Sequence, residues 1–104
     1  MYSRVGVIGD IDSVTVFRAV GLEVFAAIDE TAARETLRKL LKEDFAVIFI
    51  TEEYAKANEE ILLRAKTKTY PAIIPIPTAA GSTGFGLRGV IKDIEKALGT
   101  DILV

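Results

Sequence analysis

The pattern of apolar and polar residues along this chain switches repeatedly between short apolar runs and helical stripes. Two β-branched runs, within residues 4–10 and at residues 45–50, are typical of strands buried on both faces of a parallel sheet. Alternating residues at 22–26 predict a strand near an edge, with Leu22 and Phe25 pointing inward. Residues 70–77 predict a fourth strand at an edge, because proline cannot donate to a ladder.

Between the strands, apolar residues recur at helical spacing. Val14, Phe17 and Val20 predict a short helix that begins after Asp10 and ends at Gly21. A second helix follows a cap at Asp29 or Thr31, and a third begins after Thr51, with a break expected at Asn58. The last helix runs from Phe85 or Leu87 to Leu98, with Gly99 as its cap, before the short apolar tail 101–104.

The alternation of four strands with helices predicts an α/β fold with a parallel sheet and helices on both faces. The strand order 2-1-3-4 fits best, because it places the two most apolar strands at the centre. The expected fold is a small Rossmann-like or receiver-like single domain over residues 1–104. Residues 1–77 form the sheet core, and 78–104 supply a flexible loop, a helix and a tail.

Composition excludes several chemistries. The 104 residues include no cysteine and no histidine, which removes thiolate sites, disulfides and the commonest general base and metal ligand. The formal net charge of −2 lacks the basic footprint of a nucleic-acid binder. No apolar run approaches the roughly 20 residues of a membrane span. We expect a cytoplasmic protein without membrane insertion and without nucleic acid as a partner.

A glycine pattern of the dinucleotide-binding type occurs at residues 84–89, which read G-F-G-L-R-G. That fingerprint belongs to the first strand–helix turn, with an acidic residue about 20 positions later for the ribose. Here it follows the last predicted strand, and no further strand is predicted to carry the acid. A loop and a helix start explain these glycines better than a cofactor site, and we expect no cofactor.

A phosphoacceptor domain of the receiver type is the stronger alternative. Asp10 and Asp12 follow the first strand, and with Glu52 they offer the oxygen ligands that Mg²⁺ prefers. Receivers also need an aspartate at the end of the third strand, where this chain has Thr51, and a fifth strand bearing a lysine. Helix capping explains the same acids, and we expect no metal.

Four stretches together resemble the family of F subunits of V-type (archaeal/vacuolar) ATP synthases. The resemblance is carried by residues 6–14 with Phe17, Arg18 and Gly21, by residues 48–52, by residues 71–77 and by residues 84–103. It spans nearly the whole chain in order. It implies a small Rossmann-like, non-catalytic rotor subunit of the central stalk, at the membrane periphery, that helps couple ATP synthesis or hydrolysis to ion translocation.

The resemblance also implies the partners. These are the coiled coil of the rotor's D subunit and, in the assembled complex, the A3B3 catalytic hexamer. The last helix and tail have more apolar surface than the core needs, which favours a partner docked there. The expected partner-binding residues are Phe85, Leu87, Arg88, Ile91, Ile94, Glu95, Leu98, Ile102 and Leu103.

Overall fold

The computed structural model describes residues 2–80 and 85–98, without the side chains of Phe85, Ala97 and Leu98. Strands and helices alternate along the chain. The elements are β1 (Arg4–Gly9), α1 (Ile11–Thr15), a 3₁₀ turn (Val16–Val20), β2 (Glu23–Ala26), α2 (Glu30–Leu40), β3 (Phe45–Thr51), α3 (Glu52–Ala57), α4 (Glu59–Ala65), β4 (Ala72–Ile76) and α5 (Phe85–Leu98).

The four strands form one parallel sheet in the order β2-β1-β3-β4, which confirms the predicted topology. The proline-bearing strand β4 and the alternating strand β2 lie at the two edges, as expected. Leu22 and Phe25 do point inward, but they pack into different hydrophobic clusters on the two sides of the sheet. The sheet therefore has a hydrophobic layer on each face.

Strand β1 is one of the two central strands, and its side chains pack into the hydrophobic layers on both faces. Val7 and Ile8 are fully buried and belong to different clusters. Its glycines allow close approach of neighbouring side chains: a Cβ on Gly9 would lie 2.5 Å from the Thr51 Cγ2 atom. The first strand thus packs tightly where it leads into α1.

Cap geometry confirms the predicted helix ends at Asp10 and Gly21. The Asp10 carboxylate accepts the backbone N–H of Ser13 at 3.2 Å, and Asp29 rather than Thr31 caps α2, by accepting from Ala32 at 2.8 Å. Gly21 has φ +84°, the left-handed conformation that favours glycine. Thr51 occupies the N-cap position of α3 but makes no side-chain capping bond. The expected cap at Gly99 and the tail 101–104 lie outside the described residues.

The break between α3 and α4 occurs at Asn58, as predicted. The buried Asn58 amide donates to the carbonyl oxygens of Tyr54 at 3.0 Å and Glu30 at 3.3 Å. Its Oδ1 accepts from the Arg34 Nε–H at 2.7 Å. The side chain therefore joins α3 to α2 where the helix is interrupted.

The two faces of the sheet are covered to different extents. On the closed face, defined as the side packed by α2, α3 and α4, the β3 residues Ile48 and Ile50 are fully buried. On the open face, defined as the side packed by α1, the 3₁₀ turn and α5, Val47 and Phe49 are only partly buried. The expectation that β3 is buried on both sides is therefore wrong for the described residues.

The physical reason lies in the placement of the covering elements, because three helical elements of the described part of the chain pack on each face. On the open face, Leu87 and Ile94 of α5 cluster with Val7, Phe17 and Ile76. This cluster leaves Ile74 of β4, the residue paired with Phe49, 43% exposed.

Candidate functional site

The candidate site on α5 divides into buried and accessible residues. Leu87 and Ile94 are only 4% and 6% exposed and belong to the chain's own core. Ile91 is partly buried at the margin of the same cluster, whereas Arg88 and Glu95 are exposed. A partner that meets this conformation of α5 therefore reaches Arg88, Ile91 and Glu95 rather than Leu87 or Ile94.

The other predicted partner-binding residues fall outside the described part of the chain. These are the side chains of Phe85 and Leu98, and all of Ile102 and Leu103. Their role in binding stays a prediction from the sequence. The predicted flexible loop that begins at Thr78 is described only to Ala80, and this part is held in place, since Thr78 is buried and Ala79 packs on the open-face cluster.

Sequence reasoning missed an apolar surface beside α5. The strand register places Val7, Phe49 and Ile74 side by side on the open face, with Val5, Val47 and Ala72 in a parallel row. All except Val7 are partly or largely accessible. The sequence of β4 could have predicted this surface, because adjacent isoleucines in an edge strand point to opposite faces of the sheet.

The carboxyl ends of β1 and β3 border the crevice where open α/β sheets commonly bind ligands. Here the crevice is occupied by the chain's own side chains. The fully buried Ser13 hydroxyl donates to the Asp10 carboxylate at 2.7 Å and accepts from the backbone N–H of Ala79 at 2.9 Å. These bonds tie the β4–α5 loop to α1 and give Asp10 a structural role.

The receiver-type alternative finds no support in this geometry. Among the described residues, no group of three or more histidine, cysteine, aspartate or glutamate side chains is arranged to hold a metal ion. Asp12 and Glu52 lie in the first turns of α1 and α3, where carboxylates favour the helix dipole. These carboxylates therefore stabilise the amino-terminal ends of α1 and α3.

The glycine pattern at residues 84–89 also has a structural explanation. Gly86 and Gly89 lie within α5 rather than in a turn before it, and Gly84 is outside the described residues. A Cβ on Gly86 would lie 3.2 Å from the Pro77 Cγ atom, whereas one on Gly89 would meet open space. Gly86 therefore lets the helix start close to the end of β4.

A charged cluster at the amino-terminal edge of the sheet is structural as well. The Arg4 guanidinium contacts Glu23 at 2.6 Å, Glu43 at 2.8 Å and Asp44 at 3.1 Å, and its central carbon lies 4.2 Å from the centre of the Phe45 ring. Hydrogen bonds from Arg4 hold the pKa of the Glu23 and Asp44 carboxyls below their usual values. Arg4 thereby links β1 to β2 and to the turn before β3.

Comparisons with known proteins point to one family. The model of the family described as "ATP synthase (F/14-kDa) subunit" matches residues 5–94 of this chain. The V-type ATP synthase F subunit of Clostridium perfringens (strain 13 / Type A) is 42% identical over 103 residues, which cover 99% of this chain and 98% of that protein.

Two further relatives extend the match. The V-type ATP synthase F subunit of Clostridium botulinum (strain Eklund 17B / Type B) is 40% identical over 103 residues, covering 99% of this chain and all of that protein. The A-type ATP synthase F subunit of Methanothermobacter thermautotrophicus is 34% identical over 105 residues, covering 99% of each chain. The similarity is therefore not confined to one motif, and it reaches both V-type and A-type proteins.

Proposed function

This chain belongs to the family described as "ATP synthase (F/14-kDa) subunit", and on that premise we propose that it docks on the coiled coil of the D subunit in the central stalk. It is a non-catalytic subunit of a V-type ATP synthase. In the proposed assembly, the pair turns inside the A3B3 hexamer, on the soluble side of the membrane. No helix within the described residues has both the length and the apolar character that crossing a membrane requires.

The observation that carries the proposed docking surface is that the described residues cover the open face incompletely. Phe49 belongs to a central strand, yet it is only partly buried, and its neighbour Ile74 is 43% exposed. Apolar area that stays in water contributes nothing to folding, whereas covering it on association yields roughly 25 cal/mol per Å² before the costs of binding. A partner helix laid along this surface supplies the missing cover.

The exposed groups of α5 give the same surface a polar margin. Ile91 packs at the edge of the open-face cluster, and Arg88 and Glu95 stand on the accessible side of the helix. An apolar strip bordered by charges of both signs is the usual anatomy of a helix-binding groove. The docking surface we propose is therefore made of Phe49, Ile74 and Ile91 with Arg88 and Glu95.

Binding of the purified D subunit to single variants tests this proposal. Ile74→Asp places a charge within the proposed contact and is expected to weaken binding by about tenfold or more, the range of a central contact residue. Ile74→Thr, which keeps a β-branched side chain in the strand, is expected to weaken it less. Calorimetry gives the affinities, and melting of each isolated variant shows that it is folded.

The matched control is Leu63→Asp. Leu63 is 55% exposed on α4, which packs on the closed face, so it offers the same chemical change away from the proposed contact. Its affinity for the D subunit is expected to equal that of the unaltered chain. Equal weakening by both variants would place the contact elsewhere, and the absence of any complex at tens of micromolar would overturn the docking itself.

A further inference from the structure

Two isoleucines are exposed at the carboxyl-terminal edge of the sheet. Ile28, in the turn between β2 and α2, is 94% exposed, and Ile11, the first residue of α1, is 55% exposed. The backbone N–H of Ala27 donates to the Gly9 carbonyl at 2.9 Å, which joins the ends of the adjacent strands β2 and β1. Ile28 comes directly after Ala27, and Ile11 comes two residues after Gly9. We call the two isoleucines the carboxyl-edge patch. Folding does not explain their apolar character, since neither is buried.

Carboxylates gather at the same edge of the sheet, around Tyr54. The Tyr54 hydroxyl donates to the Ala27 carbonyl at 2.8 Å, which places the start of α3 beside the turn that carries Ile28. Burial and the negative charges around it raise the pKa of Tyr54. The carboxylates that act on Tyr54 come from three different helix starts, and they are Asp10, Asp29, Glu53 and Glu30.

The segments that form this edge contain several acidic side chains and no basic ones. Residues 9–16, 26–31 and 51–55 contain no lysine or arginine, and Asp12 and Glu52 add further carboxylates. Helix capping accounts for Asp10 and Asp29, but it gives no reason for an isoleucine at position 28. Exposed apolar side chains among acidic ones are complementary to a basic segment that also carries an apolar side chain.

We propose that the carboxyl-edge patch docks a basic segment of another subunit, whose apolar side chain packs on Ile11 and Ile28 while its lysines or arginines face the carboxylates of this edge. The inference rests on the proposed function only in taking this partner from the same ATP synthase. It concerns an edge of the sheet that is distinct from the open face. The partner's positive charges give the contact a strong dependence on salt.

Site-specific photocrosslinking in the assembled complex tests the proposal. A photoreactive phenylalanine analogue replaces Ile28 in the full chain, the complex is purified and irradiated, and the joined peptides are sequenced by mass spectrometry. A crosslink to a segment that contains both basic and apolar residues is the expected result. Position 35, which is exposed on α2 away from this edge, serves as the control and should give no such product.

A parallel label at position 74 separates this proposal from the docking on the D subunit. If position 74 crosslinks to the D subunit while position 28 gives no product, or joins a segment without basic residues, the carboxyl-edge proposal is overturned and the docking stands. If position 28 gives the expected product and position 74 gives none, the docking on the open face fails alone. Absence of this protein from the purified complex contradicts both.

Salt washing of the complex provides a measurement that needs no label. Ile28→Ser, and separately the double variant Asp12→Asn with Glu53→Gln, are expected to lower the salt concentration at which half of the protein is released, by about twofold or more. Glu35→Gln, on the exposed side of α2, is the matched control and should not change it. Ile28→Ser should melt like the unaltered chain because its side chain is exposed. If all of these variants are retained as well as the unaltered chain, the proposed docking at the carboxyl-edge patch is refuted.

Discussion

The two faces of the sheet are built from similar residues but are covered differently. Along β3, Ile48 and Ile50 point to the closed face and are completely buried, while Val47 and Phe49 point to the open face and stay partly accessible. One strand therefore contributes to the core on one side and to the surface on the other. The comparison teaches that an apolar run in a central strand can serve stability and recognition at once.

The largest expected effect on stability comes from replacing isoleucine with alanine on each face of the sheet in turn. Ile50→Ala removes a fully buried side chain and is expected to lower the free energy of unfolding by about 2–5 kcal/mol, from lost transfer energy and the cavity left behind. Ile74→Ala, on the open face, is expected to cost less than about 1 kcal/mol in the isolated chain. Urea unfolding measures both. Equal losses would mean that the open face is as well packed as the closed face.

Glycine substitutions test whether the open face is loose along its whole length. Gly9→Ala puts a Cβ 2.5 Å from the Thr51 Cγ2 atom and 3.0 Å from the Val14 Cγ1 atom, and we expect a loss of about 1–3 kcal/mol. Gly89→Ala, in α5 with open space around it, is expected to add about 0.5–1 kcal/mol. Thermal melting shows whether each variant is less or more stable than the unaltered chain. A stable Gly9→Ala protein would show that the carboxyl-terminal half of this face can relax.

Asn58 holds together the helices of the closed face. Asn58→Ala removes its hydrogen bonds to Tyr54, Glu30 and Arg34 and leaves buried polar groups without partners, so we expect a loss of about 1–3 kcal/mol. Urea unfolding gives the value. Asn58→Asp keeps an acceptor for Arg34 but turns a carboxylate oxygen toward the carbonyl oxygens of Tyr54 and Glu30, so it should cost at least as much as the alanine variant. Full stability of the alanine variant would mean that packing alone fixes the α3–α4 break.

The smallest expected effect concerns the charged cluster at Arg4, whose carboxylates are well exposed and screened by solvent. Because folding lowers the pKa of Glu23 and Asp44, their contribution to stability is fully present above the ordinary pKa values that these carboxyls have in the unfolded chain. It is lost as the pH falls through the lower folded values.

The unfolding midpoint in urea, measured from pH 6 to pH 3 at low salt, shows this dependence. Arg4→Met removes the cation while keeping a long side chain against Phe45, and we expect its midpoint to fall less over the same range. The two curves should converge in concentrated salt, because salt screens exposed charge pairs. Parallel curves at low salt would show that other carboxylates control the acid transition.

Much of the fold was predictable because its signals are local. The residues at Asp10, Gly21 and Asn58 set helix ends through their own capping bonds or backbone conformation, and each prediction is confirmed. The strand order followed from how apolar each strand is, since edge strands tolerate alternation and proline. Family membership was predictable as well, since the resembling stretches span nearly the whole chain.

The candidate site was less predictable, because burial depends on which elements cover one another. A helical stripe shows that α5 has an apolar side, but Leu87 and Ile94 are placed in the core by the position of α5 beside the 3₁₀ turn. Ile91 lies at the margin for the same reason. The docking on the D subunit stays a proposal, which the variants of Ile74 and Leu63 test.

The sequence by itself determined the order of the strands, the helix ends at Asp10, Gly21 and Asn58 and the absence of cysteine and histidine chemistry, because these depend mainly on residue type and short-range spacing. The tertiary structure alone decided that Val47 and Phe49 are accessible while Ile48 and Ile50 are not. It also brought Tyr54, on which the carboxylates of three helix starts act, to the turn that carries exposed Ile28. Contacts between distant segments create these differences, and no local pattern records them.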